Sequence, residues 1–287
     1  MQNPVVVRRQ PLRVEYRTMR FVVSIASGLM LMLFIVPLVA LLARALGDVD
    51  GQLLGGWNGP VLSAVRLSLS TSLISMGWII VLGTPLAYAF ARYRFPFKRT
   101  LNIVVELPIV LPPVVAGLAL LMAFGRRGLV GSYLAEIGIT LPFTPAAIVL
   151  AQVFVSAPFF IRAVQARFET IPRELEEAAS IDGAGQWRIF RQVTLPLSRR
   201  ALFTGLVLSW ARALGEFGAT ILFAGNLQGR TQTMPLLVYG ALERDLNAAL
   251  WTGLLLIGMA VVTLGGVHLL SRLLDGREDA DPLARSF

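Results

Sequence analysis

Residues 171–200 read IPRELEEAASIDGAGQWRIFRQVTLPLSRR. This polar stretch separates two apolar ones. Ile137–Ile161 precedes it without a single Asp, Glu, Lys or Arg, and Ala201–Gly229 follows it, interrupted only by Arg212 and Glu216. Within the polar stretch, Pro172 suits the first turn of a helix, where its missing N–H costs nothing. A short helix is predicted over Pro172–Ile181, with Leu175, Ala178, Ala179 and Asp182 at i, i+3, i+4 and i+7 on one face. Asp182-Gly183 is a stop signal, because glycine accepts the left-handed conformation that ends a helix. A second short helix, Gln186–Val193, follows, and Leu195-Pro196 closes it before the next apolar run. The pattern is a helical hairpin, about residues 169–198, carried between two segments that suit a bilayer.

The rest of the chain agrees with that setting. Its 287 residues are 55% hydrophobic and only 15% charged, with a mean hydropathy of +0.69. A soluble domain carries about a quarter charged residues, so a water-soluble domain and a disordered chain are both excluded. With no cysteine and one histidine, His268, disulfide frameworks, Cys-ligated zinc, thiol catalysis and multi-His metal sites are excluded as well. Five uncharged runs are long enough to cross a hydrocarbon core: Phe21–Ala43, Leu67–Ala91, Leu107–Gly125, Ile137–Ile161 and Leu246–Ser271. Ala201–Gly229 makes a sixth. The reading is an all-α polytopic membrane protein with six transmembrane helices over residues 21–275, between a basic tail (1–20) and a C-terminal tail (276–287). Pro108, Pro112 and Pro113 interrupt the backbone ladder of the third span, which is tolerated where neighbouring helices satisfy the freed carbonyls. Arg8 and Arg9 with Ala43-Arg44-Ala45 also resemble a signal peptide, but the apolar run is too long for its h-region.

Basic residues orient the spans. The N-terminal tail, the loops after spans two and four and the C-terminal tail hold 19 of the 26; the opposite side holds five, Arg44, Arg126, Arg127, Arg230 and Arg244. By the positive-inside rule both termini and the hairpin face the cytoplasm. The net charge of +9 is then a matter of membrane topology, and no nucleic-acid partner is implied. A helix lying on lipid would present Lys and Arg on its polar face. Pro172–Ile181 instead sets Arg173 against Glu174, Glu176 and Glu177, which suits a protein partner better than an anionic leaflet.

The run Glu177-Ala178-Ala179, then Asp182-Gly183-Ala184, then Phe190, Val193 and Leu195-Pro196 resembles the EAA loop of ABC-type import permeases. The resemblance implies that Glu177, Ala178, Ala179, Asp182, Gly183, Ala184, Leu195 and Pro196 belong to coupling helices that sit in a cleft of an ATPase subunit. A second stretch, Arg212-Ala213-Leu214-Gly215-Glu216-Phe217-Gly218-Ala219 with Phe223-Ala224-Gly225-Asn226 and Gly229-Arg230-Thr231-Gln232-Thr233, is similar to the molybdate, tungstate and sulfate permeases. So are Arg66-Leu67-Ser68-Leu69 and Pro112-Pro113-Val114-Val115-Ala116-Gly117. Together these cover residues 60–270, with the Phe223–Asn226 run nearer the molybdate branch. The resemblance implies a fold like that of type I ABC importers, located in the cell (inner) membrane. It further implies a homodimer of permeases, two ATPase subunits carrying ATP and Mg, and an extracytoplasmic solute-binding protein, with no cofactor on this chain.

Ionisable groups within a span are costly and mark functional candidates. Arg212 and Glu216, four apart and read on one helix, suit either a self-neutralising structural pair or a gate in the translocation path. Ser68, Pro112 and Pro113 are the other path candidates. The hydroxyls of Ser68, Ser70, Thr71, Ser72 and Ser75 suit either a hydrated route or close helix packing. Glu106 has no account in sequence. A P-loop needs G-x-x-x-x-G-K-[ST], yet the single lysine, Lys98, follows Phe97, so ATP hydrolysis belongs to another polypeptide. No catalytic or metal-binding set is present in the sequence. Two other classes stay open on residues alone. An ion-gradient-driven carrier would show broken helices in inverted repeats with midplane acids, and a membrane scaffold would use the hairpin to hold any cytosolic partner.

Overall fold

The computed structural model describes residues 13–47 and 59–275. Arg8, Arg9, Trp57, Arg277 and Arg285 lie outside the described residues, as do the side chains of Arg13, Arg17, His268 and Arg272. Every described element is helical. The α-helices of four or more residues are, in chain order, α1 (Arg13–Gly47), α2 (Gly59–Arg92), α3 (Lys98–Val110), α4 (Pro113–Phe124), α5 (Gly131–Glu136), α6 (Pro145–Thr170), α7 (Arg173–Ile181), α8 (Gln186–Ile189), α9 (Arg199–Leu214), α10 (Gly218–Phe223), α11 (Met234–Leu242) and α12 (Leu246–Asp275). Four of them contain stretches long and apolar enough to cross a membrane: Met19–Ala45, Gly59–Arg92, Pro145–Thr170 and Leu246–Gly266. The helix α1 falls in a unit of its own, Met1–Gly51, and the packing described below is that of the second unit, Gln52–Phe287.

In that unit α2 and α6 form the central pair, with α9 against both. Their apolar contact gathers Met76, Ile79, Ala87 and Phe90 of α2 with Phe160, Ile161, Val164 and Phe168 of α6. Small residues permit the closeness that dispersion forces need between membrane helices. A Cβ on Gly205 would sit 3.3 Å from the Phe160 backbone, and one on Gly83 would meet the Phe160 ring at 3.0 Å. A polar seam runs through the same contact. Ser75 donates to Gln152 at 2.9 Å, Gln152 donates to the Ala213 carbonyl at 3.3 Å, Ser209 donates to the Ser156 carbonyl at 2.8 Å, and Trp210 donates to Ser72 at 3.0 Å. Ser68, Thr71, Ser72 and Ser75 are all buried, while Ser70 is exposed. Ser72 and Ser75 thus join α2 to its neighbours, whereas Ser70 and Thr71 bond to carbonyls of α2 itself.

Two of the six predicted spans are not continuous. The third divides into α3 and α4, with the break at Leu111-Pro112, where both residues leave helical geometry (ψ 132 and 134). Pro108 does not contribute to the break. It lies buried inside α3. The fifth ends at Leu214 and resumes at Gly218 as α10. These two short helices meet, and Ala116 and Leu120 of α4, Ala147, Ile148, Ala151 and Val155 of α6 and Ala219 and Phe223 of α10 share a second apolar cluster. The fourth span begins at Pro145 rather than Ile137, with Thr144 capping it by accepting from the Ala147 N–H at 3.3 Å. The helix α11, within what reads in sequence as a loop, is buried at its start through Met234, Pro235 and Leu236.

Candidate functional site: an exposed hairpin and two facing helix breaks

The hairpin forms as its turn chemistry dictates. Pro172 is the N-cap of α7, Asp182 its C-cap, and Gly183 turns the chain at φ 82. The Gly183 N–H donates to the Ser180 carbonyl and the Ala184 N–H to the Ala179 carbonyl, both at 3.0 Å, closing the last turn. The second arm departs from the sequence reading. After α8 the chain passes through a π turn, Phe190–Thr194, and continues helically through Leu195–Leu197. Leu195-Pro196 therefore does not stop the arm, which ends at Ser198 (φ −105, ψ 1). The physical reason lies in the π turn. Pro196 has no N–H to give and its ring would crowd a regular i−4 carbonyl. The wider turn, in which the Leu195 N–H reaches back to the Phe190 carbonyl, leaves room for it.

No residue of α7 is buried. Glu177, Ala178, Asp182, Gly183 and Pro196 are exposed, and Ala179, Ala184 and Leu195 are half-buried. Two large apolar side chains of the hairpin point outward, Ile181 86% and Trp187 71% exposed, while Ile189 is buried. A cleft of about 440 Å³ lies beneath, bounded by Tyr88, Arg92 and Tyr93 on one side and by Glu176, Glu177 and Ser180 on the other. Aromatic contacts secure the second arm. Phe190 meets Tyr88 at 5.0 Å between ring centroids, Phe168 at 6.3 Å and Trp187 at 5.7 Å.

Sequence reasoning misses one residue here. Glu176 is the one acid of α7 that turns inward, where its Oε1 accepts from Arg92 Nη2 at 2.8 Å, Arg92 Nε at 3.2 Å and Thr194 Oγ1 at 2.8 Å. In the sequence it is only one of three glutamates, and its partner stands 84 positions away. The sole local signal is that Glu176 falls off the face carrying Leu175, Ala178 and Asp182.

The second part of the site is the pair of breaks. Arg212 lies in the last turn of α9, and Glu216 lies beyond the end of that helix, so the two are not on one helix as the spacing suggests. They pair all the same, Arg212 Nη1 to Glu216 Oε2 at 2.8 Å, with the carboxylate buried and the guanidinium 30% exposed. The other oxygen of Glu216 accepts from the Ala219 N–H at 2.8 Å, satisfying one of the donors that α10 leaves free at its start. Against this break stands the other one. A Cβ on Gly218 would lie 2.5 Å from Pro113 Cβ, and one on Gly117 would lie 2.8 Å from the Ala219 carbonyl oxygen. Pro113, against Gly218, and the Arg212–Glu216 pair thus lie at one pair of facing breaks, with Pro112 at the break itself. Ser68 lies elsewhere, buried, accepting from the Met234 N–H at 2.8 Å at the start of α11. Glu106 pairs with Arg162 at 3.0 Å. Among the described residues no cluster of His, Cys, Asp or Glu is arranged to hold a metal ion.

Residues 79–278 match the family described as the inner membrane component of binding-protein-dependent transport systems. The molybdenum transport system permease protein ModB of Mycobacterium bovis is 43% identical over 205 residues, 71% of this chain and 78% of the relative. The sulfate transport system permease protein CysW of Synechococcus elongatus is 40% identical over 215 residues, 75% of this chain and 74% of the relative. In fold, the chain resembles a subunit of a bacterial alginate ABC transporter solved in complex with an alginate pentasaccharide-bound periplasmic protein, at TM-score 0.75 and 17% identity, covering 92% of this chain and 97% of that one. The broken helices that the sequence reading reserves for an ion-driven carrier therefore occur in a different class, and the chain belongs to the ABC permease family of binding-protein-dependent inner membrane components.

Proposed function

We propose that this permease moves a tetrahedral oxyanion into the cytoplasm, molybdate first, with tungstate or sulfate as the alternative cargo. The hairpin α7–α8 docks into a separate ATPase subunit that carries ATP and Mg. The working assembly is a homodimer of this chain with two such subunits and an extracytoplasmic binding protein, and both termini face the cytoplasm. The observation that carries this reading is the hairpin. It leaves Ile181 and Trp187 open while burying none of its first helix, which is the state of a surface waiting for a partner. The molybdate preference is supported by the ModB relative, and the sulfate alternative by the CysW relative.

In mechanism, ATP binding closes the ATPase dimer and displaces the docked hairpins. The membrane helices respond by exchanging an inward-open for an outward-open arrangement, driven by the partner's differential affinity for the two states. The neutral Arg212–Glu216 pair leaves no uncompensated carboxylate to repel an anion at the breaks. The test is uptake into proteoliposomes of the permease, its co-purified ATPase and the binding protein. Molybdate uptake that requires ATP and is competed by tungstate more than by sulfate is the expected result. Uptake driven by an ion gradient without ATP overturns the mechanism, and sulfate uptake unaffected by molybdate overturns the cargo.

A further inference from the structure

The hairpin poses a mechanical problem. A partner that moves it does work on the membrane helices only if something stiff joins the two. Apolar packing does not do this for α7. None of its residues is buried, and the cleft of about 440 Å³ separates it from the end of α2. What bridges the gap is one carboxylate. Glu176 Oε1 takes two donors from Arg92, the last residue of the 34-residue α2, and one from Thr194, in the π turn that leads into α9. Arg92 Nη2 also donates to the Ile171 carbonyl at 3.2 Å, where α6 gives way to the hairpin. The end of α2, the exit of α6, the first hairpin helix and the approach to α9 converge on one ion pair. Its side chains are 7% and 16% exposed, which shields it from water and salt.

We propose that Arg92 and Glu176, with Thr194, form the strut that transmits hairpin displacement to α2 and α9, and that they are positioning residues for transport rather than part of the ATPase-docking face. The inference rests on the reading of the hairpin as the docking element. The two are separable because docking belongs to the exposed outer residues and the strut to the inward carboxylate. A charge-assisted hydrogen bond is short and directional. It is therefore stiff under load in a way that a sliding apolar contact is not. Glu176→Gln keeps the shape and an acceptor for Thr194 but removes the charge that holds Arg92.

The experiment uses the whole complex in proteoliposomes, with wild type, Glu176→Gln, Arg92→Gln, the double variant and Thr194→Val. The expected result is full ATPase co-purification in every variant, with oxyanion transported per ATP hydrolysed lowered about tenfold in Glu176→Gln. The double variant should be no worse than the worse single one, because both remove the same link. Thr194→Val, which deletes one donor of three and is the mildest to folding, should show a smaller loss of the same kind. Unchanged transport per ATP in Glu176→Gln overturns the strut. Loss of ATPase co-purification in that variant also overturns it, because the residue would then belong to the docking face. An Ile181→Asp, Trp187→Ala variant that still retains its ATPase fully overturns the docking reading itself, whatever the strut variants do.

Discussion

The hairpin and the facing breaks are opposite solutions to placing irregular backbone in a membrane protein. The hairpin leaves the helices, exposes Ile181 and Trp187 and is held to the body by aromatic rings and one ion pair. The breaks stay among the helices, where unsatisfied backbone groups are costly. They are satisfied from within: Glu216 accepts from the Ala219 N–H, and Gly117 and Gly218 let the α4 and α10 backbones approach each other. The exposed hairpin follows local rules of caps and turns. A region made for its own neighbours depends on residues a hundred positions apart.

The same substitution at two glycines tests this division, and the larger effect belongs to the breaks. Gly218→Val places a Cβ 2.5 Å from Pro113 Cβ, with backbone behind it at 3.2 Å, so neither side has a flexible chain end to move. The expected cost is about 3 kcal/mol, seen as a fall in the detergent-solubilised melting temperature and in membrane yield. A variant of wild-type stability would show that the breaks are looser than their geometry. Glu216→Ala comes next. It leaves Arg212 without its partner and the Ala219 N–H without an acceptor. Removing one partner of a buried pair costs about 3–5 kcal/mol, but Arg212 is nearly a third exposed and recovers part of that from water, so about 2 kcal/mol is expected. Glu216→Gln should recover the Ala219 bond but not the ion pair, and the difference in melting temperature between the two variants apportions the two contacts.

What the sequence made legible follows the same line. The start of α7 at Pro172, its end at Asp182 and the positive φ at Gly183 are all local, and the structure has each of them. The segments Leu67–Ala91 and Leu246–Ser271 stand as long helices because nothing in them breaks the ladder, Pro85 being accommodated within α2. The misreadings all concern accommodation by surroundings. Pro108 stays helical in α3, whereas Leu111-Pro112 breaks, because two successive prolines remove adjacent N–H groups and force the preceding residue to extend. The spacing of Arg212 and Glu216 is the helical i, i+4. The glycines at 215 and 218 were the available warning, since they flank the acid on both sides and permit the chain to leave the helix. Glu106 and Glu176 find partners 56 and 84 positions away, at Arg162 and Arg92, and no local pattern announces either partner.

On the hairpin side, Gly183→Val should be selective. A Cβ there meets nothing within 4 Å, so the strain comes only from φ 82, which a β-branched residue resists. About 1–2 kcal/mol of local strain is expected. Because the hairpin is exposed, the strain should appear as roughly tenfold weaker ATPase retention, with little change in melting temperature. Equal losses of stability from Gly183→Val and Gly218→Val would dissolve the distinction between the regions.

The smallest effect expected lies in the frame on which both regions are mounted. Ser75 joins α2 to α6 through Gln152, whose amide in turn reaches the Ala213 carbonyl near the end of α9. Interhelical hydrogen bonds in membranes contribute about 0.6 kcal/mol on average. Ser75→Ala should therefore lower the melting temperature only slightly and leave oxyanion transport per ATP unchanged, since the hydroxyl is fully buried and its role is to join helices. If the variant instead kept its stability and lost transport, the hydroxyl row of α2 would belong to the path of the anion. The wet route would then run between α2 and α6 rather than past the breaks. A stability measurement and an uptake measurement on one variant thus decide whether the polar seam is scaffold or conduit.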